Sequence, residues 1–262
     1  MAISWKWRVE MSQAHGMRKG AKPGKIGAMV AALGAAIVRG EIAPGTVLPP
    51  EHELEAHYRV GRSVVREAMK TLAAKGLVSV RPRHGTHVRP AQDWMLLDSD
   101  VLGWVRIGGG LDRSLLLALE ETRAIIEPAA AALAAQRATP EDVWRIKAAL
   151  AAMDAGQFDP QAAIAADKAF HLAILEATHN PVLRSFRGAI DAILSAIFDI
   201  TVGVFTGNLP NHAAVARAIE ARNAKQAREA MEVLLGYTYG HLLSDGAITP
   251  PDLKKSTLGE TP

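Results

Sequence analysis

Apolar positions in the first third of the chain recur at helical spacing and then at every second residue. Spacings of three and four residues predict three helices, from Lys25 to just before Gly40, over Glu51–Tyr58 and over Arg62–Ala74. Gly76 suits a left-handed cap after the third helix. Alternation over 77–81 and 86–89, around a turn that contains a glycine, is typical of a β-hairpin. The predicted order is helix, helix, turn, helix, hairpin.

From Trp94 onward the pattern is helical throughout. Helices are predicted over 111–137 with a kink at Pro128, 140–156, 160–178, from Asn180-Pro181 to Phe205, over 212–222 and over 225–243, with a turn at Asn208–Asn211. Short connections and the lack of a strand pattern favour an antiparallel, all-α bundle. The predicted fold class is therefore mostly α, with one small hairpin near the N-terminus.

Composition bounds the class of protein. The 262 residues are 49% apolar and 22% charged, enough for a core in one large domain or two modest ones. The absence of cysteine excludes disulfides, thiolate metal sites and a cysteine nucleophile. No apolar run has the length and freedom from charge of a signal peptide or membrane span, so we expect a cytoplasmic protein without a membrane partner. We divide the chain into a flexible leader at 1–24, a module at 25–90, a linker with a first short helix at 91–110, a helical domain at 111–245 and a flexible tail at 246–262.

The net charge of +3 hides two opposite balances. Residues 1–93 carry 15 Lys and Arg against 7 Asp and Glu, a balance of +8, whereas residues 94–262 carry 15 against 20, a balance of −5. A basic N-terminal part favours a polyanion as partner, because phosphate contacts supply most non-specific affinity for nucleic acid. Charge alone leaves a solubilising basic surface open.

The predicted order of the N-terminal module is the winged helix-turn-helix layout, in which the second helix of the pair enters the major groove of DNA. Arg62 and Arg66 lie one turn apart, away from the face that carries Val65 and Met69. An arginine fork binds guanine or a phosphate through two parallel hydrogen bonds. The hairpin tip Arg83-His84-Gly85 adds donors beside a glycine that permits close backbone approach. Two arginines on a helix can also be a solvated face, but the layout around them favours DNA binding.

Six motifs of this module resemble the DNA-binding domain of GntR-family transcription regulators. They are IVRG at 37–40, PGTVLP at 44–49, EHEL at 51–54, VGRSVVREA at 60–68, GLV at 76–78 and GTHV at 85–88. The resemblance implies a DNA surface made by Arg62, Ser63 and Arg66 of the recognition helix, together with the wing tip.

Two residues depart from the family's pattern. His52 stands where an arginine is common, so its place in the DNA surface is that of a weaker or titratable phosphate contact. Gly61 stands where a serine is common and gives up a side-chain cap of the recognition helix.

In the C-terminal part, polar residues interrupt apolar helical stripes, where burial is costly unless they are paired. Arg123 and Glu127 are one turn apart, as are Asp167 and His171, and His212 shares the stripe of a further helix. An Asp and two His offer oxygen and nitrogen ligands for a divalent metal, and Arg123 offers a clamp for a carboxylate. An ordinary Arg–Glu ion pair and hydrogen-bonded core histidines are the alternatives.

These residues also resemble the helical FCD effector domain of the FadR-type branch of GntR regulators, over nearly all of 94–243. The motifs are ETRAIIEP at 121–128, LAAQRAT at 133–139, Asp167, FH at 170–171, Asn180 and His212. The segment WMLLDSDVLGW at 94–104 is similar to sugar-acid regulators of the galactonate-repressor kind. In that family an Asp and three His hold a metal and an Arg engages the carboxylate of a small organic acid; Arg123, Asp167, His171 and His212 match this pattern.

The third histidine of that pattern is missing. Leu234 stands at its place in the last helix, three residues after Met231, and leucine cannot ligate a metal. At most three protein ligands for Zn, Ni or Mn remain, so the sequence argues against a bound metal more than for it. A pocket with Arg123 as carboxylate anchor is the stronger expectation.

We therefore expect a transcription regulator, in the first place a repressor, that binds operator DNA as a homodimer and responds to a small organic acid, such as a sugar acid. The alternative is a metal-dependent enzyme that uses Asp167, His171 and His212, although no general base is placed beside them. A zinc-protease reading of His52 and His57 is rejected, because residues five apart point about 140° away from each other on a helix.

Overall fold

The structure is a computed structural model that describes residues 24–244, apart from 82, 157 and 202–204. The chain divides into two compact units, Met1–Gly110 and Leu111–Pro262. The predicted tail, and all of the predicted leader but Gly24, lie outside the described residues. The elements are α1 (Lys25–Val38), α2 (Glu51–Tyr58), α3 (Arg62–Ala74), β1 (Val78–Arg81), β2 (Gly85–Val88), α4 (Ser99–Ile107), α5 (Arg113–Arg137), α6 (Pro140–Ala155), α7 (Pro160–Ala177), α8 (Pro181–Arg184), α9 (Arg187–Thr201), α10 (Phe205–Glu220) and α11 (Ala224–Ser244).

The first unit is built around α1 and α3. Leu33 of α1 and Val65 and Leu72 of α3 are fully buried, so the apolar faces of the two helices form its centre. Removing such side chains from water is the main favourable contribution to the stability of a small unit. The opposite side of α3 remains exposed, and this is the side that carries its arginines.

A tight turn links α2 to α3. Arg59 ends α2 in the left-handed conformation, with φ 52° and ψ 47°. Gly61 caps α3 with extended backbone and makes no side-chain cap, as its missing side chain requires. The turn places the first residues of α3 directly after α2 and leaves them solvent-exposed.

The hairpin follows α3. β1 and β2 pair antiparallel with Val78 opposite Val88 and Arg81 opposite Gly85. Val47 bridges to His87 on the other side of β2, so the loop after α1 anchors the hairpin to the helical core. A helix-turn-helix followed by a two-stranded wing confirms the predicted fold of this module.

Helix α4 packs into the first unit. A Cβ added at Gly34 of α1 would overlap the ring of Trp104, so these two helices approach closely. Lys75, just after α3, binds Asp98 at 2.8 Å and Asp100 at 2.9 Å. Gly76 has φ +77°, and a Cβ there would meet the carbonyl oxygen of Asp93, so glycine is needed for both reasons.

The second unit is an all-α bundle, as predicted. Helix α5 packs along α11, α6 along α7 and α10 along α11. Its core is rich in alanine, which lets the helices approach, with Phe170, Met153 and Ile146 filling the space between them. Helix α6 opens with a complete capping box, in which Thr139 and Asp142 bond each other's backbone N–H. Among the described residues, no helix combines the length and the apolar character needed to cross a membrane.

Two local predictions are wrong in this unit. The turn expected at Asn208–Asn211 is part of α10, which contains Pro210. Asn208 is buried and its amide donates to the carbonyl of Leu234 and the hydroxyl of Thr238, so a tertiary contact uses the group that would have made a turn. The long helix expected from Asn180-Pro181 to Phe205 is divided, because α8 ends after one turn and α9 begins at Arg187.

Tyr58 provides a test of the packing of the first unit. The side chain is 3% exposed, and its hydroxyl has no hydrogen-bond partner among the described residues. Burial, together with the negative charge of Glu41, raises the pKa of Tyr58 to about 12. Above pH 10 an unfolded chain loses this proton while the folded chain keeps it, so stability present below pH 10 is lost at roughly 1.4 kcal/mol per pH unit until about pH 12.

We expect Tyr58→Phe to remove this contribution. Chemical denaturation at pH 8 and at pH 11 measures the free energy of unfolding. Between these two pH values the wild-type protein should lose about 1.4 kcal/mol more of it than the variant. The variant should be at least as stable as the wild type at pH 8, because it no longer buries an unpaired hydroxyl. Parallel losses of stability in the two proteins would contradict the prediction.

Candidate functional site

The exposed start of α3 carries the two arginines that are predicted to contact DNA. The side chains of Arg62 and Arg66 are 66% and 53% exposed, and both bind the carboxylate of Glu51 at the start of α2. The Nε of Arg62 lies 2.9 Å from Glu51 Oε2, and the Nε of Arg66 lies 3.0 Å from Oε1. Glu51 binds the Nε of each, and within the described part of the chain no hydrogen bond occupies the terminal nitrogens, so both guanidinium groups can make a bidentate contact.

Glu51 is a residue that the sequence did not single out. Hydrogen bonds, first from Arg66 and then from Arg62, hold the pKa of its carboxyl below the usual value. The carboxylate of Glu51 is therefore charged at neutral pH. Eleven and fifteen residues separate Glu51 from the two arginines, so no helical periodicity links them in the sequence. One carboxylate therefore orders two long side chains on an exposed surface.

Substitution of Glu51 should distinguish its role in positioning the two arginines from its effect, as a negative charge, on the general affinity for DNA. We expect Glu51→Gln to lower the ratio of the affinity for operator DNA to that for random-sequence DNA about fivefold. Without the ion pairs, the two arginine side chains lose more conformational entropy when they bind DNA. Affinity for random DNA should rise slightly, because one negative charge is lost. The measurement is a filter-binding titration of both DNAs. Glu67→Gln, which removes an exposed partner of Lys70 on α3, is the matched control; equal effects of both variants would reduce the role of Glu51 to charge alone.

The other predicted DNA residues are also exposed. Ser63 lies between the two arginines at the start of α3, and His52 lies at the start of α2. At the wing tip, Arg83 and Gly85 have positive φ angles of 64° and 85°. The sequence predicts that these residues and the two arginines contact DNA, and for that prediction we call them the DNA-reading surface: His52, Arg62, Ser63, Arg66, Arg83, His84 and Gly85.

A second candidate site is buried in the helical unit. Arg123 of α5 is 2% exposed and binds two carboxylates of its own helix. Its Nε lies 2.6 Å from Glu127 Oε1, and its NH1 lies 2.9 Å from Glu120 Oε1. Its NH2 lies 3.3 Å from Nε2 of His171 on α7. Three N–H groups of the guanidinium are thus used in hydrogen bonds within the bundle. One hydrogen on each terminal nitrogen has no partner among the described residues.

The two histidines both present Nε2 to Asp167. Nδ1 of His171 contacts Glu127 Oε2, and Nδ1 of His212 lies 2.9 Å from the carbonyl of Asn208. A carboxylate and a carbonyl only accept hydrogen bonds, so each Nδ1 carries a hydrogen, and in a neutral ring each Nε2 carries a lone pair. Asp167 Oδ1 lies 3.1 Å from Nε2 of His212 and 3.7 Å from Nε2 of His171. With both rings neutral, three electron-pair donors therefore face one another, and the one on His171 also accepts a hydrogen bond from Arg123.

We call Glu120, Arg123, Glu127, Asp167, His171 and His212 the buried polar cluster, in which carboxyl groups outnumber guanidinium groups. Burial disfavours every ionised carboxylate here, but at Glu127 the charge of Arg123, and then that of His171 when its ring is protonated, outweigh burial and hold the pKa of that carboxyl well below its usual value. The pKa of Asp167 is lowered as well, against burial, by His171 and His212 when their rings are protonated. At Glu120 burial dominates and raises the pKa. With both histidine rings neutral, one guanidinium faces three carboxyl groups, two of which have a lowered pKa.

The donor set fits a divalent cation. One ligand atom from each of Asp167, His171 and His212 lies within 4.8 Å of the others. Each histidine is oriented through its second nitrogen by an acceptor, which is how metal-binding histidines are usually held. Leu234 is buried in the apolar core of the bundle, so the expected fourth protein ligand is absent at that position. The site can offer two nitrogens and one oxygen, and leave other positions to a ligand.

The structure brings together all four residues predicted for this site, with Glu127 beside them, and adds Glu120 and Asn208. Glu120 lies three residues before Arg123 and seven before Glu127, so helical spacing could have placed it on the same stripe. Asn208 supplies the carbonyl that orients His212, but turn-forming residues around it concealed its helix.

Comparison with known proteins places both units in one family. The gntR family of bacterial regulatory proteins matches residues 26–88, and the FCD domain matches residues 118–236. The chain is 37% identical over 206 residues to the galactonate operon transcriptional repressor of Escherichia coli, covering 77% of this chain and 90% of that protein. It is 30% identical over 223 residues to the HTH-type transcriptional regulator LutR of Bacillus subtilis, covering 77% and 97%.

A solved structure shares the fold. Lar of Listeria monocytogenes, described as controlling the expression of the agr system, superposes with a TM-score of 0.60 at 19% identity, over 86% of this chain and 98% of that one. The family and the relatives are transcription regulators rather than enzymes, so the alternative of a metal-dependent enzyme has no support. The chain belongs to the GntR family of bacterial transcription regulators and carries the FCD domain.

Proposed function

We propose that this regulator is a repressor whose binding to operator DNA is modulated by a small carboxylate, such as a sugar acid, bound in the FCD domain. The observation that carries the proposal is the buried polar cluster, in which donor atoms of Asp167, His171 and His212 face one another beside a guanidinium. A packed bundle gains little stability from such a cluster, since buried ion pairs barely repay the cost of desolvation. A ligand-binding role explains why it is there.

The DNA-reading surface would engage a half-site. Arg62 and Arg66 present their terminal nitrogens outward for guanine or phosphate, Ser63 adds a hydroxyl, and the wing tip reaches the neighbouring phosphates or minor groove. Because one recognition helix reads only a few base pairs, we infer a homodimer on a pseudo-palindromic operator. Working on DNA, the protein would act in the cytoplasm.

The cluster favours an acid held through positive charge. A carboxylate cannot bind strongly next to three carboxyl groups unless their charge is compensated. When bound, a divalent ion such as Zn, Ni or Mn supplies this charge and an open coordination position for an oxygen of the acid. Arg123 can add the two hydrogens on its terminal nitrogens that have no described partner. The galactonate operon named for one relative points to sugar acids as the first class to test.

Regulation requires that the acid discriminate between DNA-competent and DNA-incompetent forms of the protein. A ligand shifts an equilibrium only by its difference in affinity for the two forms, and a switch needs a few kcal/mol. The acid should therefore bind free protein and operator-bound protein with different affinities.

A thermal-shift screen joined to a mobility-shift assay tests the proposal. An operator selected from random duplexes should be retarded by the protein, and galactonate or gluconate should raise the melting temperature, more so with Zn, Ni or Mn than after chelation. The same acids should release the operator. Stabilisation without release would limit the acid to a structural role, and a protein that binds no operator would overturn the proposal.

A further inference from the structure

The outer face of α6 is apolar although it faces solvent. The face that packs into the bundle carries Ile146, Ala149 and Met153, which are buried. On the opposite face, apolar residues recur at spacings of four, three, four and three residues, and all of them are exposed. We call these residues the outer stripe: Trp144, Ala148, Ala151, Ala155 and, three residues after the end of the helix, Phe158.

The outer stripe departs from the composition of an ordinary surface helix. The face of such a helix that lies away from the core normally carries charged and polar side chains. Here Trp144 is 63% exposed and Phe158 is 90% exposed, and neither contributes to the DNA-reading surface or to the buried polar cluster. Apolar side chains that follow one another on successive turns, with charged residues on either side, mark a surface that another molecule covers.

The order of side-chain sizes along the outer stripe is symmetric about its centre. Ala151 lies midway, seven residues from Trp144 and seven from Phe158. If two copies of α6 lie antiparallel with their Ala151 residues side by side, Trp144 of each copy comes opposite Phe158 of the other. The alanines in the middle let the two helix axes approach closely, and an aromatic pair covers each end. The outer stripe is therefore complementary to a second copy of itself.

Charged residues beside the outer stripe fit the same arrangement. Lys147 and Asp154 are exposed and seven residues apart, so they lie on the same flank of the outer stripe. In the antiparallel pair, Lys147 of each copy comes opposite Asp154 of the other, whereas parallel helices would bring like charges together. Lys147 donates to Glu220 of α10 at 2.9 Å and has further hydrogens for a second carboxylate. The charges thus favour the orientation that the side-chain sizes favour.

We infer that α6 is a contact surface for a second copy of this chain, with the two outer stripes packed antiparallel about a two-fold axis that passes beside Ala151. The same patch serves both copies in such a contact, so the assembly closes as a dimer. The inference rests on the homodimer of the proposed function and specifies the surface through which that homodimer forms.

Single cysteines test this surface, because the chain has no cysteine of its own. Ala151→Cys places one thiol of each copy beside the two-fold axis, where two close helices allow a disulfide. Oxidation of the full chain with copper phenanthroline should give a covalent dimer at least about tenfold faster than it does for Ile125→Cys, whose thiols lie too far apart to join within the dimer. Ile125 is the matched control, because it is 76% exposed on α5 and lies outside the outer stripe.

Trp144→Glu tests the same surface without a new cysteine. The side chain lies away from the core, so circular dichroism should show an intact fold. In sedimentation equilibrium, the dissociation constant of the dimer should rise about tenfold or more, because a charged side chain replaces an aromatic one at the contact. Ile125→Glu, which makes the same kind of change on α5, should alter the constant less than about twofold.

The outcomes separate the surface from the dimer itself. If the wild-type protein is a dimer but Ala151→Cys links no faster than Ile125→Cys, the inference is overturned and the homodimer stands. Equal dissociation constants for the wild type and Trp144→Glu have the same meaning. A wild-type protein that is monomeric both free and on operator DNA removes the homodimer of the proposed function together with the inference. If Trp144→Glu does not fold, the comparison of the two cysteine variants decides.

Discussion

Replacement of Arg123 by alanine should lower the free energy of unfolding by about 3–5 kcal/mol, the range seen when one partner of a buried ion network is removed. Burial disfavours the charged guanidinium, but Glu120 and Glu127 outweigh this and raise the pKa of Arg123 above its ordinary value. The variant leaves both carboxyl groups buried without their cation. Urea denaturation followed by circular dichroism measures the loss, and the remaining folded protein should show no response to a sugar acid.

A surface arginine supplies the comparison. Arg145 of α6 pairs with Glu141 one turn away, and both side chains are more than half exposed. Arg145→Ala should change the stability by about 0.5 kcal/mol or less, as is usual for exposed pairs. Similar losses in the two variants would mean that the Arg123 network is not the buried, unsolvated cluster described above.

Arg66→Ala is expected to weaken operator binding by about 1–3 kcal/mol, roughly 5- to 150-fold. The side chain is 53% exposed and forms its described contact only with Glu51, so its removal should leave the fold intact. If Arg66 contacts a base, discrimination against sequence changes at one operator position should fall. If it contacts a phosphate, affinity should fall for all sequences and the salt dependence of binding should become shallower. Titration of operator and mutated operator at two salt concentrations separates the two cases.

The control for Arg66 lies in the same unit. Arg39, at the end of α1, pairs with Glu41 and lies outside the DNA-reading surface. Arg39→Ala removes the same charge and should weaken operator binding only slightly. An Arg66→Ala variant with the affinity of the wild type would remove α3 from its assignment as the recognition helix.

Much of the fold followed from the sequence, because it depends on local signals. The bounds of α3 agree with prediction at both ends, where a glycine precedes the helix and a left-handed glycine follows it. Helices α6 and α7 begin at a Thr-Pro and an Asp-Pro pair, in which the first residue caps the helix. The error at 208–211 has the opposite origin. Residues that locally favour a turn are held in a helix by contacts with α11, and α11 is too distant in sequence for local analysis to include.

The candidate site divides in the same way. Arg123, Asp167, His171 and His212 could be picked out because each interrupts an apolar stripe. Their convergence depends on the packing of α5, α7 and α10, which only the resemblance to a family could anticipate. The contacts of Glu51, and an oxygen of Glu120 that has no hydrogen-bond partner among the described residues, were beyond prediction, because a partner eleven residues away and a missing hydrogen bond are properties of three-dimensional packing.

The close seat of Trp104 on Gly34 has a practical consequence for dissecting the protein. A DNA-binding fragment that ends at residue 90, where the wing ends, would leave behind the helix that covers this part of α1 and the carboxylates that pair with Lys75. Such a fragment would expose the apolar surface of α1 that Trp104 covers and would leave Lys75 without its carboxylate partners. We expect it to aggregate, because of the exposed apolar surface. A fragment that ends within Gly108–Gly110 retains both, and is the natural fragment for measuring operator affinity without the FCD domain.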